Sequence, residues 1–288
     1  MEYLIHLAIL FVIYATLGVS LNLVVGYTGL LSVTHAAFYG IGAYTTAIFL
    51  TKSGVGFFSS LVSGIVIVVV ISFLVGVVLS KFKGDYYALV TFGFNAIIFA
   101  VFLNWQNLTN GSLGVPGISR PELFGINFAN NFNFLILALI FFVLVYFASR
   151  FIVNSSFGRV LKAIREDETA IAVFGYKTLS FKLVVFIISA AMAAVAGSLF
   201  ASYITFIDPS SFQLTESMFI LAIIILGGLG NLRGSILGAL FLILLPEILR
   251  FVGFSSDIDA QMRQVVYGII LILLMLYRPQ GLIGEYKL

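Results

Sequence analysis

Nine stretches of this sequence, near residues 4–25, 33–50, 59–80, 86–104, 134–151, 183–204, 214–230, 235–253 and 264–278, are apolar over the length that a bilayer core requires. A hydrocarbon layer of about 30 Å takes roughly 20 residues of helix. The chain has 288 residues, of which 61% are hydrophobic and 9% charged, too little polar surface to cover a soluble globule. The expected fold is therefore all-α: a single polytopic membrane domain over residues 1–288 with about nine transmembrane helices, eight to ten at the limits. The first stretch has no basic leader and no small-residue cleavage site, so it reads as a retained span.

The segment Gly158 to Tyr176 breaks this apolar pattern. It packs Arg159, Lys162, Arg165, Glu166, Asp167 and Glu168 into ten residues. Burying six charges at bilayer depth would cost on the order of 15–20 kcal/mol, so the segment lies in water. Leu161, Ile164, Ile171 and Phe174 fall between the charges at near-helical spacing. The order of charge predicts two short helices. The cations suit the C-terminus of the first, the carboxylates suit the N-terminus of the second, and Gly175 supplies a C′ position with positive φ. Such a segment is either a solvated loop that sets topology or a docking element for a soluble partner.

Alternating sides from that segment places Lys81, Lys83, Arg150, Arg159, Lys162, Arg165, Lys177, Lys182, Arg233, Arg278 and Lys287 on one side, and Lys52, Arg120, Arg250 and Arg263 on the other. The positive-inside rule assigns the richer side to the cytoplasm. The charged segment and the C-terminus are then cytoplasmic and the N-terminus is outside. This segregation accounts for the net charge of +3 without a nucleic-acid partner.

Three regions depart from smooth apolar helix. Gly26 to Tyr44 is rich in glycine and hydroxyls at membrane depth, which permits either close helix packing or an interrupted helix along a water-filled path. His35 is either a functional ionisable group or a neutral histidine bonded to a neighbouring helix. The outer loop, residues 105–133, carries enough Gly, Pro and Asn to hold a defined shape, as a linker or as a surface for an external partner. Leu226 to Gly238 is glycine-dense but matches no phosphate-loop spacing, and a tight turn between packed helices explains it. Glu216 and Glu247 are placed near the outer ends of their spans and read as structural, Glu247 one turn from Arg250.

No catalytic constellation is present. There is no HExxH, no Walker motif and no Ser/His/Asp set, and two histidines (His6, His35) with no cysteine give no metal centre and no disulfide. The remaining classes are a transporter subunit driven by a separate ATPase, a secondary transporter or channel, and a scaffold or receptor. Ion-coupling carboxylates or paired interrupted helices, expected of a secondary carrier, are not evident.

The series Leu21-Asn22-Leu23, Gly26-Tyr27-Thr28-Gly29, Phe38 to Tyr44, Gly84-Asp85-Tyr86, Thr91, Thr109, Gly111, Gly114, Pro116-Gly117-Ile118, Pro121, Gly158-Arg159, Ala163-Ile164-Arg165-Glu166, Glu168, Asp208-Pro209, Gly227 to Gly230, Gly234 and Arg278 to Leu282 resembles the permease subunits of branched-chain amino acid ABC importers, of the LivM type. The resemblance runs over nearly the whole chain. It implies an inner-membrane, multi-pass permease without ATPase activity, translocating leucine, isoleucine or valine by alternating access. It implies as partners a second, homologous permease of the LivH type, two ATP-binding subunits that carry ATP and Mg, and an extracytoplasmic substrate-binding protein, with no cofactor on this chain. Residues 154–178 become an ATPase-coupling segment through Gly158, Arg159, Lys162, Ala163, Arg165, Glu166, Glu168 and Gly175. Asn22, Gly26, His35, Gly40, Gly42, Tyr44 and Thr91 become candidates for the translocation path, and Thr109, Gly114, Pro116, Gly117 and Pro121 for contact with the binding protein. Thr34 replaces an expected glycine and Phe92 an expected leucine, both beside the supposed path. Relatives also import urea, short amides and other amino acids.

Overall fold

The structure, a computed structural model, describes residues 2–123, 126–251, 265, 268, 269, 272, 276 and 280–284, with backbone only for 123, 126, 127 and 248–251. The long helices are α1 (Glu2–Thr28), α2 (His35–Lys52), α3 (Phe57–Leu79), α4 (Asp85–Asn104), α6 (Asn131–Asn154), α9 (Thr178–Ile204), α10 (Leu214–Gly227) and α11 (Leu232–Phe251). Between them lie the short helices α5 (Gln106–Thr109), α7 (Ser156–Glu166) and α8 (Glu168–Val173). The all-α expectation holds. Among the described residues α1, α3, α4, α6 and α9 are each long and apolar enough to cross a membrane. The expected spans at 214–230 and 235–253 are corrected in form. They are α10 and α11, which reach that standard only together and are bent 118° to one another. Of the ninth expected span, 264–278, only residues 265, 268, 269, 272 and 276 are among those described.

α3 shows how lipid reverses the usual amphipathic logic. Its sequence is dominated by Val and Ile, modest helix formers in water, yet in a bilayer only a helix satisfies every backbone group internally. Its buried face carries Ser60, Gly64, Val68, Ser72 and Gly76, while Val62, Val66, Val70, Phe73 and Val77 point outward. Small residues inward let α9 approach, with Leu183 and Phe186 packed at Gly76. α1 and α9 are interior helices, apolar on all sides. α2 is packed against α3, α4, α9 and α10.

The helices alternate between two ends. At one end lie α7, α8, Lys83, Lys162, Arg165 and Lys182. At the other lie α5, Lys52 on the carbonyls of Asn107 and Leu108, and Arg120 beside Tyr203. The described basic residues thus separate by end as the charge pattern predicts. The loop end is closed by two short ladders, β1 (Val115–Pro116) with β4 (Phe206–Ile207), and β2 (Glu122–Leu123) with β3 (Ile126–Asn127). The described residues of the 105–133 segment therefore hold a defined shape.

Candidate functional site

The charged segment forms the two helices that its charge order predicts. Ser155 caps α7, its Oγ accepting from Gly158 N at 3.3 Å. Asp167 sits at the break in extended conformation and caps α8, accepting from the backbone N–H groups of Thr169 (2.9 Å) and Ala170 (3.0 Å). The Thr169 hydroxyl, then the Ala170 amide, holds the Asp167 carboxyl below its usual range. α8 ends as expected at Gly175, φ +88°, with Tyr176 N bonded to Ile171 O and Gly175 N to Ala172 O, a Schellman closure.

The residues of this segment divide into two groups. Leu161 and Ile164 are buried, so α7 lies on the bundle by one face. Gly158 is buried where a Cβ would stand 2.2 Å from Val153 O, so its part is packing against the end of α6. Ala163 and Lys162 are half-buried, Lys162 with its ammonium 5.5 Å from the Tyr27 ring centroid. Arg165, expected in water, is half-buried: its guanidinium donates to the carbonyls of Val25 and Gly26 at the C-terminus of α1. A cation there neutralises orphan carbonyls and the negative end of the helix dipole. Glu168 is bound to Lys182 at 2.6 Å and accepts from the Thr178 hydroxyl at 3.1 Å. Burial raises its pKa, but the hydrogen bond and charge of Lys182, then Thr178 and Lys83, outweigh that and leave it lowered. The exposed groups of the segment include Arg159, Glu166, Val173 (86% exposed), Phe174 (79%) and Tyr176. Val173 escaped the sequence reading of the site, and Phe174 entered it only through its helical spacing. The signal was a bulky apolar pair in a segment too charged to enter lipid.

The candidate path residues do not share one lining. Asn22, fully buried, is a hub. Its Nδ2 donates to Gly228 O (3.3 Å), Asn231 O (3.0 Å) and Ser235 Oγ (2.6 Å), and its Oδ1 accepts from Gly230 N (3.0 Å). Gly26 leaves room for that hub, since a Cβ there would fall 1.6 Å from Asn22 Oδ1. Both tie α1 to the glycine-dense turn, which is the tight helix connection expected of it. Gly42 is filled by the backbone of Ala194 on α9 and Gly40 by Phe102 and Phe212, so both serve close packing. Tyr44 stacks on Phe102 at 4.3 Å. Thr91 Oγ1 accepts from Val33 N at 3.3 Å. Residues 29–34 are not helical, and α2 begins at His35, level with Ser20 and Ser189, whose hydroxyls lie 3.2 Å from its Nε2. The interrupted-helix and close-packing readings of Gly26–Tyr44 therefore apply to different parts of it. Thr34 is buried beside Ser32, whereas Phe92 is exposed.

Of the five loop residues expected to meet an external protein, three are buried. Thr109 is buried and bonded to the carbonyls of Phe102 and Trp105, Gly114 is packed on Ile207, and Pro121 is buried. Pro116 and Gly117 are exposed, with Leu113 (81%) beside them.

The sequence matches the family described as "branched-chain amino acid transport system / permease component" over residues 3–275. It is 36% identical to the high-affinity branched-chain amino acid transport system permease protein LivM of Escherichia coli K12, over 97% of this chain and 69% of the relative. The Salmonella typhimurium LivM is 35% identical over the same shares. The E. coli LivH permease is 27% identical over 94% of this chain and 91% of that one. No solved structure matches this chain.

Proposed function

Because this chain belongs to the branched-chain amino acid transport permease family, we propose that it builds, with a second homologous permease, the membrane path of an importer for leucine, isoleucine and valine. Two separate ATP-binding subunits drive it, and an extracytoplasmic binding protein delivers substrate. The α7–α8 end faces the cytoplasm of a cell whose inner membrane holds the complex, and the β1–β4 end faces outward. Transport proceeds by alternating access, a shift between two packings of the same bundle biased by the state of the ATPases.

The observation that carries this reading is the open face of α7 and α8. Arg159 and Glu166 flank it, and Val173 and Phe174 stand at 86% and 79% exposure at the end of α8. Burying an aromatic ring and a valine in a partner's groove contributes roughly 2–4 kcal/mol in total. Arg165 on the end of α1, and the Glu168–Lys182 pair on α9, connect that face to interior helices. The test is ATP-driven leucine uptake in proteoliposomes. Uptake should need this chain together with its ATP-binding subunits. Phe174→Asp should reach the membrane normally and lose both co-purification with the ATPase and uptake. Uptake by this chain alone on a proton or sodium gradient would overturn the reading.

A further inference from the structure

The first turns of α2 and α10 meet inside the bundle. Ala36 N–H, in the first turn of α2, donates to Ser217 Oγ, in the first turn of α10, at 3.0 Å. The neighbours set the depth of this junction. His35 lies between Ser20 of α1 and Ser189 of α9. Glu216, one residue before Ser217, accepts from the hydroxyl of Tyr14 at 2.6 Å, and Tyr14 stands halfway along the 27 residues of α1. Glu216, expected near the outer end of its span, is therefore carried to the middle of the bundle. Neither helix start has a side-chain cap, at Thr34 or at Gln213. Two helix N-termini without a cap from their own N-cap side chains, that of α2 with one amide taken by Ser217, present partial positive charge to one region inside an apolar bundle.

That region also holds buried polar atoms without a partner among the described residues: Nδ1 of His35, the hydroxyl of Tyr39 and both amide atoms of Asn95, on residues no more than 1% exposed. Tyr39 is within electrostatic reach of Tyr14 and Glu216. α4 packs along α2, with Thr91 on Val33 and Phe102 at Gly40, so Asn95, one turn past Thr91, falls level with the start of α2. A desolvated polar atom without a hydrogen bond is costly, and such groups in one place call for a polar occupant. The inventory of groups has two signs. A carboxylate with a tyrosine hydroxyl beside it suits an ammonium group. Two helix starts, an imidazole and an amide suit a carboxylate. The surrounding rings of Phe38, Phe102 and Phe212 are apolar.

We propose that the junction of α2 and α10 is an intramembrane subsite for an amino-acid zwitterion, with Glu216 as counter-ion of the α-ammonium group and the helix starts, with His35 and Asn95, facing the α-carboxylate. The inference rests on reading the chain as an amino-acid permease, and gives that permease its own means of recognising substrate. In the state described here the helices are closed on one another. Separation of α10 from α2 completes the site as the path opens.

The test compares uptake of leucine with that of 4-methyl-2-hydroxypentanoate, its analogue with hydroxyl in place of ammonium, in proteoliposomes holding the whole importer. Glu216→Gln keeps an oxygen for Tyr14 and removes the charge. It should assemble with the ATP-binding subunits, lose at least about tenfold in leucine uptake, and lose the preference for leucine over the hydroxy analogue. Tyr39→Phe removes only an oxygen that has no partner among the described residues, so it should fold as well as wild type or better, yet raise the KM for leucine. A Glu216→Gln importer with wild-type uptake and preference overturns the subsite and leaves the permease function standing. If Glu216→Gln fails to assemble, unchanged kinetics in Tyr39→Phe overturns it instead. A wild-type importer that moves no branched-chain amino acid removes the underlying function, and the subsite with it.

Discussion

Replacing Asn22 with leucine separates two roles that the same residue could have. On the resemblance alone Asn22 is a candidate for the translocation path. In the structure its amide lies within hydrogen-bond distance of four groups of the α10–α11 turn and the first turn of α11, of which its two N–H protons and its oxygen engage about three at once. Interhelical hydrogen bonds in membranes average about 0.6 kcal/mol, so three contribute about 1.8 kcal/mol. Leaving Gly230 N–H and Asn231 C=O buried without partners adds a penalty of about 1–3 kcal/mol each, relieved in part by relaxation. Asn22→Leu should therefore cost about 3–5 kcal/mol. Gly26→Ala should act in the same direction, since its methyl would stand 1.6 Å from Asn22 Oδ1. Fluorescence-detected size-exclusion after a heating series reads this as a fall in apparent Tm of about 5 °C or more, with uptake falling in proportion to folded protein. A variant that kept its Tm and its association with the ATP-binding subunits, yet transported nothing, would refute the clamp and return Asn22 to the path.

Other outcomes follow from the same geometry. Arg165→Glu sets a carboxylate against the carbonyl end of α1 in place of a cation and should cost about 2–3 kcal/mol of stability, whereas Glu166→Lys, on the open face, should stay within about ±0.5 kcal/mol and weaken ATPase association; thermal stability and co-purification distinguish them. The Glu168 pKa is lowered in the folded state, so its bond to Lys182 stabilises above the ordinary value of 4.5 and that stability is lost as pH falls below it. The loss should be no more than about 1 kcal/mol for a partly exposed pair, and the protection of α8 amides, corrected for the intrinsic pH dependence of exchange, should fall at acid pH in wild type but not in Lys182→Ala. A cysteine at Ala172 should be labelled only from the cytoplasm and one at Ser112 only from outside, and labelling of both from one face would sink the proposed orientation.

Much of the architecture was legible in the sequence because it depends on short-range physics. Apolar length locates α1, α3, α4, α6 and α9, for a backbone in lipid has no option but helix. Charge order and a glycine locate the break at Asp167 and the end of α8 at Gly175, because caps and dipoles act within a turn. The bend between α10 and α11 was not legible, since periodicity carries no information on the direction a chain takes after a turn. The identity of the working residues was decided by the tertiary structure. Tyr14 meets Glu216 across 202 positions of sequence, Asn22 meets Asn231 across 209, and Arg165 reaches Val25 across 140. Those meetings give Asn22 the geometry of a clamp and Arg165 that of a cap on the end of α1, and they place the acid Glu216 at mid-depth. A side chain's hydropathy and spacing state that it must be satisfied; only the packing of distant helices states by what.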